Sequence, residues 1–204
     1  MSTEVVILSL RIIKNLPAKI LRNLAKKTPE IPLQDTASSQ PIKTPETTEP
    51  NTSSIQSIFQ TIVDLFKEDS WSFAPINKQP ALRLAFEGKN GKCDCYAQVR
   101  EQQQQFVFYS ICPVNAPENK RLAVAEFITR ANSGMIIGHF ELDFTEGQIR
   151  YKTSIDVEDD SLCSALIKRL VYANVMMMDA YLPGIMSVIY GDVTPLDAIA
   201  QIES

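Results

Sequence analysis

Between His139 and Thr153 the chain alternates apolar and charged residues on both sides of one reversal, and few folds accept such a pattern. Phe140, Leu142 and Phe144 alternate with His139, Glu141 and Asp143, the period-two signature of a strand with one buried face. Glu146-Gly147 marks the reversal, since glycine takes a positive φ at little cost. A turn centred there sets Phe144 opposite Ile149, Leu142 opposite Tyr151 and Phe140 opposite Thr153. The other face then opposes Asp143 to Arg150, Glu141 to Lys152 and His139 to Ser154. Each opposite-charge pair adds roughly 0.2–1 kcal/mol, and a slip of one residue would mix the two faces. Just upstream, Asn132-Ser133-Gly134 reads as a helix end.

A second set of strands precedes it. Asn90-Gly91 is a strong hairpin signal and sets Phe86 opposite Cys95, Leu84 opposite Ala97 and Leu82 opposite Val99. A reversal within Glu101–Gln104 then sets Val99 against Phe106, Ala97 against Phe108, Cys95 against Ser110 and Cys93 against Cys112. All three strands place their apolar sets on one face, a consistency that supports the meander. The opposite face carries Ala85, Tyr96, Val107, Tyr109 and Ile111 beside Arg83, Glu87 and Asp94. That is apolar for a solvated surface, so either another element covers it or a partner does. Tyr96, Val107 and Tyr109 are the candidate partner-binding residues.

Helices frame these strands. Ile55, Ile58, Phe59, Ile62, Val63 and Phe66 recur at helical spacing behind a Ser53 or Ser54 cap. Asn115 caps a second helix, with Pro117 and Glu118 in its first turn, that buries Val124, Phe127, Ile128 and Ala131. From Ser161 a long helix presents Leu162, Ala165, Leu166, Leu170, Ala173 and Met177, widened by Ile167, Val171, Val175 and Met178. Pro183-Gly184 is expected to break or kink it, and Thr194-Pro195 starts a short final helix. Met176-Met177-Met178 is read as core packing rather than an adaptable groove. The expected class is α+β: helix, three-strand antiparallel meander, helix, two-strand hairpin, long C-terminal helix and short helices.

The N-terminal part differs in kind. Residues 1–27 interleave apolar residues with Arg11, Lys14, Lys19, Arg22, Lys26 and Lys27, a basic amphipathic arm suited to an anionic membrane surface or a partner's groove. Residues 28–54 hold five prolines among Thr, Ser, Gln and Glu, too little apolar surface to offset the entropy of ordering, so they read as a flexible linker. Residues 55–204 make the folded domain.

Composition narrows the chemistry. A net charge of −4 speaks against a nucleic-acid binder. His139 is the only histidine, which excludes a histidine-based triad or a multi-histidine metal site within one chain. Cys93, Cys95, Cys112 and Cys163 form no C-x-x-C pair and read as small core residues rather than thiolate ligands or a Cys93–Cys112 disulfide. Neither a Walker loop nor G-x-G-x-x-G is present, and no cofactor is expected. Without a secretory leader or an apolar run of ~18–20 residues, the expectation is a cytoplasmic protein with reduced thiols, held peripherally at a membrane if its arm docks there.

Trp71-x-Phe73, Pro113, Arg121, Arg130-Ala-Asn132, Gly138-x-Phe140-Glu141-x-Asp143, Gly147-x-Ile149-x-Tyr151, Tyr181-x-Pro183 and Gly191, in this element order, resemble the YbjN family from about Ile55 to the C-terminus. The resemblance implies a fold similar to type III secretion chaperones, a sensory-transduction regulator and no catalytic residues. The first reading is therefore a non-enzymatic, chaperone-like module that binds a protein partner. A homodimeric cytoplasmic regulator using the same face is the alternative. An enzyme with an acidic site at Glu141 and Asp143 would need carboxylates of raised pKa in a pocket, and the charge-paired register speaks against it.

Overall fold

The computed structural model describes residues 58–157 and 162–203. The N-terminal arm, the linker, the Ser53/Ser54 cap and the Ser161 helix start lie outside the described residues. Within them the order is α1 (Ile58–Glu68), β1 (Phe73–Pro75), β2 (Ala81–Glu87), β3 (Lys92–Arg100) and β4 (Gln105–Ile111), then α2 (Arg121–Ser133), β5 (His139–Leu142), β6 (Ile149–Asp156), α3 (Ser164–Tyr190) and α4 (Pro195–Glu203). Single 3-10 turns at Glu101–Gln103 and Glu118–Lys120 precede β4 and α2. The six strands form one antiparallel sheet in the order β1-β2-β3-β4-β6-β5. Meander and hairpin are thus one sheet, joined where β4 pairs β6. β1 was not expected; it continues the apolar face with Phe73 opposite Leu84.

The helices bury that face. Leu82, Leu84, Cys95, Ala97, Phe106, Phe108, Phe140, Ile149 and Tyr151 form one core with Ile62, Phe66, Val124, Phe127, Val171, Val175 and Ile185. Each large apolar side chain so buried contributes roughly 1.5–3 kcal/mol. Cys93, Cys95 and Cys112 are buried in this core as free thiols, and Cys163 is exposed. α2 buries Val124, Phe127, Ile128 and Ala131 as the spacing predicts. Asn115 does not cap it; its amide donates to the Glu146 carbonyl at 3.2 Å instead.

The three hairpins differ in what sets them. β3–β4 has the expected register, with Val99 opposite Phe106, and closes on a tight local turn in which Gln104 takes a left-handed conformation (φ 49°). β2–β3 is shifted by two: Phe86 pairs Cys93 and Leu84 pairs Cys95. Lys89-Asn90 rather than Asn90-Gly91 forms the loop, with Gly88 N–H donating to the Gly91 carbonyl at 2.8 Å. The cause is tertiary. Asp179 of α3 accepts the Lys89 and Asn90 N–H groups at 3.1 and 2.8 Å, and a Cβ on Gly88 would lie 2.2 Å from its Oδ1.

β5–β6 is shifted by two as well: Leu142 pairs Ile149, Phe140 pairs Tyr151, Glu141 pairs Arg150 and His139 pairs Lys152. Phe144 therefore leaves the core face and lies exposed in a wider loop. Asp143 Oδ1 accepts the Thr145 and Glu146 N–H groups at 2.7 and 3.3 Å, and Arg121 donates to the Phe144 carbonyl at 2.8 Å. Gly147 sits at φ +73° with the Ala116 carbonyl where a Cβ would be, so no other residue fits there without strain. Shifts of two keep every side chain that remains in a strand on its expected face, because the side-chain period of a strand is two.

α3 runs unbroken through Pro183. Proline has no N–H for the carbonyl four residues back, and that carbonyl, of Asp179, accepts from Asn90 Nδ2 at 3.0 Å. The buried face of α3 is Ile167, Val171, Asn174, Val175, Met178, Leu182, Ile185 and Val188. Leu166 lies largely outside it, and Leu170, Met176 and Met177 are only half-buried. The face is centred on the residues that had been assigned its rim because Asn174 is drawn inward. Its Nδ2 donates to the carbonyls of Phe108 and Tyr151 at 3.0 and 3.1 Å.

Candidate functional site: the open face of the sheet

The site begins with alternation. In each strand, the residues between core positions point to the other face, and the packed core contains none of them. Four described helices contribute to that core, so among the described residues no helix covers this side. One row crosses five strands as Arg83, Tyr96, Tyr109, Lys152 and His139, each opposite the next. The neighbouring row reads Ala85, Asp94, Ile111, Arg150 and Glu141.

Tyr96 and Tyr109 are therefore adjacent and half-buried, and neither hydroxyl has a hydrogen-bond partner among the described residues. Val107 sits between Gln98 and Ser154 and is only 6% exposed, so it supports the surface more than it offers contact. Beside the tyrosines is a depression of about 500 Å³, walled by Tyr96, Tyr109 and Ile111 and closed at one side by Ile76 and Gln79 from the β1–β2 connection.

The charges of this face largely satisfy one another. Arg83 pairs Asp94 at 2.9 Å, and Gln105 donates to Asp156 at 2.9 Å. Glu141 receives Arg150 Nε at 2.6 Å, Lys152 Nζ at 2.8 Å and His139 Nε2 at 3.1 Å. Partial burial pushes the Glu141 carboxyl up, but the hydrogen bonds from Lys152, Arg150 and His139 outweigh it and hold the pKa at about 2. Asp143, which caps its own loop through backbone N–H groups, is also held below its ordinary value. Neither carboxyl has the raised pKa that acid catalysis at neutral pH requires.

Arg150 also lies over the Tyr109 ring, 5.3 Å from its centroid. This contact was not legible in the sequence, which gave Arg150 the expected partner Asp143 and left the β4–β6 pairing open. The alternation did place Arg150 on the tyrosine face, and that was the available signal.

Three of the four thiols lie in the core as expected, whereas Cys163, also read as a core residue, is exposed. Cys93 and Cys95 sulfurs are 3.8 Å apart and Cys95 lies 3.4 Å from Ser110 Oγ. The Cys95 thiol is pushed up by its bond to Cys93 and by burial, and burial raises Cys112 to about 11. Among the described residues no group of three or more His, Cys, Asp or Glu is arranged to hold a metal ion. No described helix is long and apolar enough to cross a membrane.

A family described as "YbjN: Putative bacterial sensory transduction regulator" matches residues 60–186. Among solved structures, "YbjN, a putative transcription regulator from E. coli" is similar at TM-score 0.48 and 14% identity, covering 62% of this chain and 89% of that one. The ExsC-ExsE complex is similar at TM-score 0.43 and 8% identity, over 62% and 91% of the two chains. The HopA1-SchA chaperone-effector complex is similar at TM-score 0.43 and 12% identity, over 63% and 97%. No curated protein matches.

Proposed function

The chain belongs to the YbjN family, and from that premise we propose that it is a non-enzymatic regulatory module whose open sheet face receives a protein partner. The observation that carries this reading is the Tyr96–Tyr109 pair, whose hydroxyls have no partner among the described residues, on a face that no described helix covers. Tyrosine offers large, rigid contact area at low entropic cost, which is why it is enriched at interfaces. The charges around the pair are largely matched, so a partner meets a surface of low net charge. In the same reading residues 1–27 act as a tether, through Arg11, Lys14, Lys19, Arg22, Lys26 and Lys27, that raises the effective concentration of the domain at its target through residues 28–54.

Site-specific photo-crosslinking tests the face. A crosslinker at position 96 or 109 is expected to trap one discrete partner in cells. One at Tyr190, exposed on the helical side, is expected to trap none. Substituting Tyr96→Ser with Tyr109→Ser should abolish capture while leaving the melting temperature nearly unchanged; a large loss of stability would mean that the face is internal. Sedimentation of the pure chain separates a different protein from a second copy, because a dimer lost in the double variant would identify the partner as the chain itself. Flotation with anionic vesicles, with and without residues 1–52, tests the tether.

A further inference from the structure

The charge matching on the open face is incomplete at one point. Arg150 and Lys152 share the single carboxylate of Glu141, so two permanent cations meet one anion. Arg150 reaches Glu141 through Nε alone, and neither of its terminal amines has a hydrogen-bond partner among the described residues. Those amines form the fork that recognises a carboxylate with two parallel hydrogen bonds. Arg150 is held in place by Glu141 behind it and the Tyr109 ring beneath it, and it lines the depression next to Tyr96 and Ile111. Gln79, Gln98 and Gln148 also line the depression, and their side-chain amides lack partners among the described residues. A side-chain amide presents a donor and an acceptor together, as a peptide group does.

From this juxtaposition we propose that the occupant of the open face is an extended segment of a protein partner, carrying a carboxylate side chain that Arg150 clamps and a neighbouring apolar side chain that rests against Tyr96 and Ile111. The inference rests on the reading of this face as the partner site and adds the chemistry of the partner. Asp94 also lines the depression but is paired with Arg83, so the unpaired edge of Arg150 matches the acid, the aromatic wall matches its apolar neighbour, and the glutamines match the backbone between them. A single excess charge is too small a footprint for a polyanion, which calls for a row of cations along the backbone.

Selection of random displayed peptides on the full chain tests this, with oligothymidylate as a competitor. The expected result is enrichment of Asp or Glu beside a large apolar residue. Arg150→Gln should abolish the acidic preference, and a selected peptide should lose roughly tenfold in affinity, as for one hydrogen-bonded charge. Arg150→Lys keeps the cation and removes the fork, and should fall between the two. The Arg150 side chain is at the surface, and Lys152 still pairs Glu141, so neither variant is expected to unfold the domain. Apolar enrichment without the acid would overturn the inference while leaving the face as the partner site. Peptides unaffected by Tyr96→Ser with Tyr109→Ser would overturn both. Displacement of selected peptides by oligothymidylate at equal concentration, or no enrichment at all, would also overturn the inference.

Discussion

Phe108 and Tyr109 are neighbours on β4, and they belong to two surfaces built by opposite rules. Phe108 is fully buried against Phe66 and Phe106 on the helix-covered side. On that side polar groups are satisfied by side chains that arrive from far along the chain: Asn174 on the carbonyls of Phe108 and Tyr151, Asp179 on the turn at Lys89 and Asn90. Tyr109 faces the other way, where polar groups are satisfied by their sheet neighbours: Asp94 by Arg83, and Glu141 by Arg150 and Lys152. The covered side is therefore closed by contacts that folding must deliver from a distance, although Asn174 Oδ1 stays buried there without a hydrogen-bond partner among the described residues. The open side is complete without any further element, yet it retains aromatic area and a free guanidinium edge. A surface of that kind is stable while empty and still able to bind.

Truncation at adjacent positions breaks the comparison most sharply. Phe108→Ala should cost about 3–5 kcal/mol, since it leaves a cavity in a packed core. Tyr109→Ser, one residue away, should cost under about 1 kcal/mol. Urea unfolding of the two variants measures both, and equal losses would show the open face to be covered. Next in size is Asp179→Ala, which strands two backbone donors at the β2–β3 turn and should cost about 1–3 kcal/mol. Hydrogen exchange should then speed up at Lys89 and Asn90 before it does elsewhere.

The same contrast explains what could be read from the chain alone. Alternation assigned each strand residue to its face, and those assignments survive both register shifts except at Phe144, which leaves the strand for the loop. The β3–β4 register was legible because a local turn sets it. The β2–β3 and β5–β6 registers were not, because Asp179 and the Ala116–Arg121 segment, distant in sequence, decide where those loops close. Pro183 reads as a helix breaker until Asn90 is known to occupy the carbonyl that it leaves free. The sheet edge behaves similarly. Asn132 pairs with both backbone groups of Phe140, at 2.7 and 3.0 Å, and so closes part of the outer edge of β5 in a way that periodicity does not show. Of the candidate site, the tyrosines were legible as same-face neighbours. The Arg150 position over Tyr109 depends on β4 pairing β6, a non-local choice that pattern cannot fix.

The smallest effect sharpens the comparison by acid. Glu141 has a folded pKa of about 2, below its ordinary 4.5, so ionisation favours the folded state. That contribution is complete above about pH 4.5 and fades as the pH falls through about 2, when the carboxylate is protonated and releases Arg150 and Lys152. The network is part-exposed and screened, which limits the contribution to roughly 1 kcal/mol. Glu141→Gln should therefore lose about that much at neutral pH and show a shallower acid limb in denaturation midpoints between pH 5 and pH 2. Salt should shrink the difference between the two proteins, since the charges face solvent. Asp179 and Asn174, which hold α3 to the sheet from within the covered side, should give losses that salt leaves unchanged. A salt-insensitive loss at Glu141 would place its network under cover and remove the distinction on which the open face depends.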